Sequence, residues 1–96
     1  MSTEITYPRP FIGDIDGKPM DSGSVYIGVM NKDPETFPTA TYWDAGLTTV
    51  ATQPLSVSAG YILHNGIRAP VYTGVSTYSM RIRNRSGTQV DYLPSV

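Results

Sequence analysis

Glycine and proline interrupt this sequence so often that a long helix has no room to form. The 96 residues include 9 glycines and 8 prolines, and no apolar stripe with helical spacing lasts more than a turn or two. Only 16% of the residues are charged, while seven are tyrosines. This composition is typical of β domains. We therefore predict an all-β fold of small antiparallel sheets packed together.

The length allows one domain with a thin hydrophobic core. The chain has no cysteine, so neither disulfides nor thiolate-bound metals can stabilise it. Small domains without such staples often gain buried area by oligomerising. The sequence therefore predicts that this chain associates with copies of itself or with other proteins.

The charges are nearly balanced, with a net charge of −1. Such a balance argues against nucleic acid or an anionic membrane as a partner. Residues 1–48 carry seven acids and three bases, whereas residues 49–96 carry one acid and four bases. The two halves could complement each other within one chain or between subunits, or the charges could simply be solvated.

No segment has the features of a membrane span or a signal peptide. The longest apolar run is well short of the ~18 residues that a span needs, and the N-terminus lacks a basic start followed by an apolar stretch. We therefore expect a soluble protein that is made in the cytoplasm.

Strand patterns begin at residue 24. Residues 24–30 alternate with Val25 and Ile27 on one face and Tyr26 on the other, and both faces are apolar enough to be covered. A shorter strand is predicted over residues 39–43. Asn65-Gly66, between two apolar runs, predicts a hairpin with a two-residue turn.

A second hairpin is predicted near the C-terminus, around the loop Arg85-Ser86-Gly87. Gly87 falls where a three-residue loop needs a left-handed residue. Matching apolar positions across the strands sets the register. The predicted cross-strand pairs are Asn84–Thr88, Arg83–Gln89, Ile82–Val90, Arg81–Asp91 and Met80–Tyr92, with a salt link between Arg81 and Asp91.

The sequence offers little material for catalysis or for cofactor binding. Asp14, Asp16 and Asp21 resemble part of a calcium loop, but the closing glutamate is absent and turn formation explains them better. The single histidine, His64, stands beside the Asn-Gly turn without a recognisable nucleophile motif. We expect no cofactor, no metal and no enzymatic activity in this chain.

The aromatic residues suggest a binding surface. Tyr42 and Trp43, beside Asp44, are candidates because aromatic side chains commonly anchor protein interfaces. Tyr42, Trp43 and Tyr61 could instead stack on sugar rings, which gives the alternative of a carbohydrate-binding module that contacts host surface polysaccharide. Many of the tyrosines could equally belong to the core.

An ordered series of short motifs resembles the N-terminal head-binding domain of podovirus tailspikes of the P22 type. The resemblance covers about residues 8–96, and the order and spacing carry it, since each motif alone is weak. The motifs are Gly23-x-Val25-Tyr26-Ile27-Gly28, Asp33-Pro34, Tyr42-Trp43-Asp44-Ala45, Thr52-Gln53-Pro54-Leu55, Ala59-Gly60-Tyr61-Ile62, Asn65-Gly66, Tyr78-Ser79-Met80 and Gly87-x-Gln89-Val90-Asp91-Tyr92.

This resemblance implies a dome-like homotrimer that fixes a tailspike, a receptor-binding protein, to the tail of a bacteriophage virion. The implied partners are tail or portal-side phage proteins and a C-terminal spike domain or a separate spike protein. Any polysaccharide-degrading activity would then lie downstream of this domain. The chain would be either a fragment of a spike or a separate adaptor, located in the virion.

For this role we divide the chain into an extended N-terminal arm, residues 1–11, and a head-binding β domain, residues 12–96. Proline restricts the arm, so docking it would cost little conformational entropy. The residues expected to contact the tail are Tyr7, Arg9, Phe11, Tyr42 and Trp43. The residues expected in the trimer interface or in the core are Val25, Ile27, Met80, Ile82 and Tyr92.

Overall fold

The structure is a computed structural model that describes residues 3–7 and 12–96. Over these residues it contains strands and no helix. The strands are β1 (Thr3–Glu4), β2 (Gly23–Gly28), β3 (Leu55–Ser58), β4 (Tyr61–His64), β5 (Ile67–Arg68), β6 (Tyr72–Thr73), β7 (Ser79–Arg83) and β8 (Gln89–Leu93). Within the described part of the chain, no helix is therefore long and apolar enough to cross a membrane.

The strands form two antiparallel sheets. The large sheet has the order β5-β4-β3-β2-β7-β8, and the small sheet pairs β1 with β6. Tyr42 extends the small sheet, because it forms β-bridges with both Tyr72 and Val50. The prediction of an all-β fold built from small antiparallel sheets is thus confirmed.

The hydrophobic core lies between the two sheets. Alternate residues of β2, β3 and β7 point into it, as the period of two in a strand requires. Ile5, which follows β1, and Val71, which precedes β6, also belong to it. The core consists of Ile5, Ile12, Met20, Val25, Ile27, Ala51, Leu55, Val57, Val71, Tyr78, Met80 and Ile82. Four of the residues predicted for the trimer interface or the core (Val25, Ile27, Met80 and Ile82) therefore lie inside the chain's own core.

The tight turns follow the predicted chemistry. Asn65 and Gly66 have φ of 54° and 78° and connect β4 to β5, with His64 paired to Ile67, as expected for a two-residue type I′ turn. The Asn-Gly hairpin is therefore confirmed. Ala59 and Gly60, with φ of 53° and 87°, make the equivalent turn between β3 and β4.

The C-terminal hairpin matches the predicted register only next to its loop. Arg83 pairs with Gln89, and the Asn84 N–H donates to the Thr88 carbonyl. A β-bulge then shifts β8 by one residue, so the predicted pairs Ile82–Val90, Arg81–Asp91 and Met80–Tyr92 are wrong. The observed pairs are Ile82–Asp91, Arg81–Tyr92 and Met80–Leu93.

Packing explains this shift. Val90 and Leu93 both pack against the core, although they are three positions apart. In a regular strand, residues separated by an odd number point to opposite faces. The extra residue in the bulge places both side chains on the core side, and it moves Tyr92 opposite Arg81.

Residues 39–43 do not form the predicted strand, and only Tyr42 makes bridges there. The Thr39 N–H donates directly to the Ile27 carbonyl at 3.0 Å, and the side chain of Gln53 adds a second link between this segment and β2. Its Oε1 accepts from the Ile27 N–H at 2.8 Å, and its Nε2 donates to the Thr39 carbonyl at 2.7 Å. A side chain thus satisfies backbone groups that a regular strand would have paired.

The described part of the N-terminal segment is built into the domain. Thr3 and Glu4 pair with β6, Ile5 is only 8% exposed, and the Thr6 N–H donates to the Tyr78 hydroxyl at 2.8 Å. Residues 3–7 therefore pair and pack with residues 12–96. Residues 8–11 of the predicted arm, including Arg9 and Phe11, lie outside the described residues.

Candidate docking surfaces

An acidic loop, which we define as residues 31–38, covers the part of the large sheet's outer surface formed by β2, β7 and β8. The loop folds back over β2 so closely that a Cβ on Gly28 would lie 2.3 Å from the Pro34 Cα. The Val29 N–H donates to the Phe37 carbonyl, which fastens the returning end of the loop. Only glycine at position 28 allows this approach.

Two arginines of β7 hold the acidic loop. Arg81 bonds through one Nη to Asp33 at 2.8 Å and to Glu35 at 2.7 Å. Arg83 makes a two-pronged contact with Glu35, at 2.9 Å through Nε and 2.8 Å through Nη. Such bidentate pairs are the stronger kind of surface ion pair.

These contacts correct the predicted link between Arg81 and Asp91. The bulge in β8 places Tyr92 opposite Arg81, and the guanidinium lies 5.3 Å from the centre of the Tyr92 ring. Asp91 instead accepts a hydrogen bond from the Tyr7 hydroxyl at 2.8 Å. The acidic N-terminal half and the basic C-terminal half therefore complement each other within one chain at this cluster.

The arginines change the acidity of the loop carboxylates. Hydrogen bonds from Arg83, and then from Arg81, lower the pKa of Glu35 from 4.5 to about 2. The pKa of Asp33 is also lowered, mainly because its carboxylate accepts the Glu35 backbone N–H. Both carboxylates are thus stabilised in their ionised form, in which they hold the loop to the sheet.

This shift predicts acid sensitivity that depends on Glu35. A carboxylate whose pKa is lowered by folding contributes stability that is full above its unfolded pKa of 4.5 and is lost as pH falls toward about 2. Glu35→Gln should therefore flatten the decline of unfolding free energy across this window, by about 1–2 kcal/mol after allowance for screening by water. Urea denaturation at pH 6, 4 and 2.5 measures it.

Glu4→Gln is the matched control, because Glu4 is an exposed acid on the other sheet. It should retain the wild-type pH dependence. Equal slopes for the wild type and Glu35→Gln between pH 4.5 and 2.5 would show that the ion pairs do not stabilise the fold.

The small sheet has a different outer surface. Glu4 pairs with Tyr72, Tyr72 with Tyr42, and Tyr42 with Val50. Directly opposed residues share one face of a sheet, and their neighbours Thr41, Ala51 and Thr73 are buried. The row Glu4–Tyr72–Tyr42–Val50, which we call the tyrosine face, therefore points outward.

Trp43 follows Tyr42 but takes the opposite side of the chain. It packs against the core, and its ring stacks on His64 at 4.2 Å between centroids. Of the predicted pair, only Tyr42 is thus presented on the tyrosine face. No local sequence pattern indicates that Tyr72 lies on this face, because its pairing with Tyr42 joins positions 30 residues apart.

An open groove of about 480 Å³ adjoins the tyrosine face. Ile5, Ile12, Ile62 and Val71 give it apolar walls, while Glu4, Tyr7, Tyr61 and Arg68 contribute polar groups. Arg68 lies over the Tyr61 ring, with its guanidinium carbon 3.7 Å from the ring centre. Its volume is within the range of known ligand sites.

These ring contacts do not favour the carbohydrate-binding alternative. Sugar stacking needs a free aromatic face. Trp43 is engaged by His64 and by the core, and Arg68 covers one of the two faces of Tyr61. Two of the three aromatic residues suggested for that role are therefore engaged within the chain.

Two aspartates of the calcium-like segment, Asp14 and Asp16, form hydrogen bonds within a turn. The Asp14 carbonyl accepts from Gly17 N–H, and an Asp16 carboxylate oxygen accepts from Lys18 N–H at 3.0 Å. Among the described residues, no group of three or more histidine and acidic side chains is placed to hold a metal ion. Turn formation accounts for Asp14 and Asp16, whereas Asp21 accepts a hydrogen bond from the Ser58 hydroxyl.

The last residue predicted for the trimer interface or core, Tyr92, is half-buried on the outer side of the large sheet. Its hydroxyl donates to the Lys32 carbonyl at 3.1 Å, so it supports the acidic loop. Tyr7 is also half-buried and packs against the core. The tail contacts predicted for Tyr7, Arg9, Phe11, Tyr42 and Trp43 remain predictions.

Fold and surfaces together define a small all-β domain with one outer face partly covered by its own acidic loop and one open aromatic face. Comparison with protein families agrees with this class: a family model described as head binding matches residues 6–96. The chain belongs to this family, that of the P22 tailspike head-binding domain. Domains of this family are structural and non-catalytic, and they are virion-associated components of phage tails.

Proposed function

We propose that this domain anchors a tailspike to the tail of a phage virion as a homotrimer. The observation that carries the proposal is the family match over residues 6–96. On this proposal the domain docks on a tail or portal-side protein and holds a spike, either as its own C-terminal continuation or as a separate protein. No chemistry is required of the domain itself.

The fold supports an anchoring role. A mechanical attachment must keep its shape under load, and β1 joins the N-terminal segment to β6 while the acidic loop is clamped to β7. A rigid docking surface loses less entropy on binding than a mobile one. Host cytoplasmic synthesis followed by assembly into the virion completes the proposal.

A reconstitution experiment tests it. Particles of the phage that encodes the chain, prepared without spikes, are incubated with the purified domain, and bound domain is measured after sedimentation of the particles. We expect saturable binding in multiples of three, together with a trimer in analytical ultracentrifugation. Binding to isolated host polysaccharide but not to particles would contradict the anchor and favour the carbohydrate-binding module.

A further inference from the structure

The two outer faces of this domain differ in whether their charged side chains form ion pairs. On the large sheet, Arg81 and Arg83 are paired with the acidic loop. On the tyrosine face and its groove, Glu4 and Arg68 make no ion pair with any described residue. Unpaired opposite charges beside apolar walls favour a partner that supplies the complementary charges.

The Arg68 side chain is restrained in a position that suits it to bind a carboxylate. Its guanidinium is stacked on Tyr61, which restrains the side chain and leaves the N–H groups at the edge of the plane free to donate. Arginine binds carboxylates through two parallel hydrogen bonds, and a pre-ordered arginine loses less entropy in doing so. The groove thus offers one restrained cation, one acid and apolar walls.

The neighbouring tyrosines extend this surface. Tyr42 and Tyr72 are bonded backbone to backbone in both directions, at 2.8 and 2.7 Å, so their positions are fixed by the sheet. Tyrosine is enriched at protein interfaces because it combines a large apolar ring with a polar tip. Glu4 belongs to both the tyrosine face and the groove, which makes the two a continuous surface.

From these features we propose that the groove and the tyrosine face together bind an extended segment of the tail protein. That segment carries an acidic side chain that pairs with Arg68, and a basic side chain that pairs with Glu4. This inference rests on the proposed anchoring function and identifies the surface that performs it. A groove of about 480 Å³ has room for a few side chains of one segment, and the tyrosine face supports its continuation.

The test uses spike-free particles as the probe and the full chain as the ligand. Arg68→Glu should raise the dissociation constant at least tenfold at about 0.1 M salt. Arg68→Lys should lose less affinity, because lysine keeps the positive charge but cannot form two parallel hydrogen bonds with one carboxylate. Glu4→Lys should weaken binding independently. Higher salt should lower wild-type affinity and narrow these differences.

Arg85→Glu is the matched control, since Arg85 is an exposed arginine in the loop between β7 and β8 and the charge change is the same. It should alter affinity less than twofold. Unfolding midpoints of all variants are measured beside the wild type, and Arg68→Lys keeps the test valid if Arg68→Glu does not fold.

The possible outcomes test the anchoring function and the proposed binding surface separately. If the wild-type domain does not bind particles, the anchoring function itself fails. If the wild type binds and Arg68→Glu and Glu4→Lys bind equally well, the function stands and this surface is wrong. If Arg68→Glu dissociates the trimer in ultracentrifugation, the surface joins copies of the chain, and the inference is overturned.

Discussion

Gly28→Ala should destabilise the domain by about 3 kcal/mol or more. A Cβ at this position would lie 2.3 Å from the Pro34 Cα and 2.7 Å from the Phe37 carbonyl oxygen. Both obstacles are backbone atoms, so no side-chain rotation can relieve the clash. Overpacking of this kind typically costs 1–3 kcal/mol and more when the backbone has to move. Urea denaturation at neutral pH measures the loss.

The control for this variant is Gly74→Ala. A Cβ on Gly74 would meet only the Leu47 Cδ1, at 3.4 Å, which is an ordinary contact. Its unfolding free energy should stay within about 0.5 kcal/mol of wild type. Similar stability for the two variants would mean that the acidic loop does not approach β2 as described.

The acidic loop gives Gly28→Ala a second readout. Displacing Pro34 would pull Asp33 and Glu35 away from Arg81 and Arg83, so the acid sensitivity that depends on Glu35 should also diminish. A loss of stability without this change in pH dependence would show that the clash is absorbed elsewhere.

Ile82→Ala should cost about 2–5 kcal/mol, because the side chain is completely buried and its removal leaves a cavity in the core. A domain of this size has only about 5–15 kcal/mol of stability, so the variant should unfold at a much lower urea concentration. Circular dichroism at a fixed protein concentration follows the transition.

Ile67→Ala provides the comparison, since Ile67 is 71% exposed and should tolerate truncation. The way in which the stability loss of Ile82→Ala depends on protein concentration distinguishes a core residue from a trimer-interface residue. A core residue should lower stability by the same amount at every protein concentration. An interface residue would give a loss that grows on dilution, because its effect acts through association.

Local signals in the sequence were sufficient for the turns. Asn65-Gly66 and Gly87 adopt the left-handed conformations that their chemistry favours, and the alternation around Val25 and Ile27 identified β2 and its buried face. These features depend on neighbours a few residues away. For the same reason, the pairing of Arg83 with Gln89, next to the loop, was predicted correctly.

The bulge in β8 could not be predicted from local pairing rules. Matching Ile82 with Val90 satisfied every rule for a regular hairpin, yet the core accepts both Val90 and Leu93. That requirement comes from the rest of the fold. One extra residue then changed the partner of Arg81 from Asp91 to Tyr92 and left its guanidinium available to the acidic loop.

The sequence alone determined a small cysteine-free β domain, its main turns, a charge division between its halves and its family resemblance. These properties follow from composition, from short-range backbone preferences and from motif order. The tertiary structure decided which charges pair and which surface stays open. Asp33 meets Arg81 across 48 positions, and Tyr42 meets Tyr72 across 30. Such contacts are set by sheet packing, which no local pattern records.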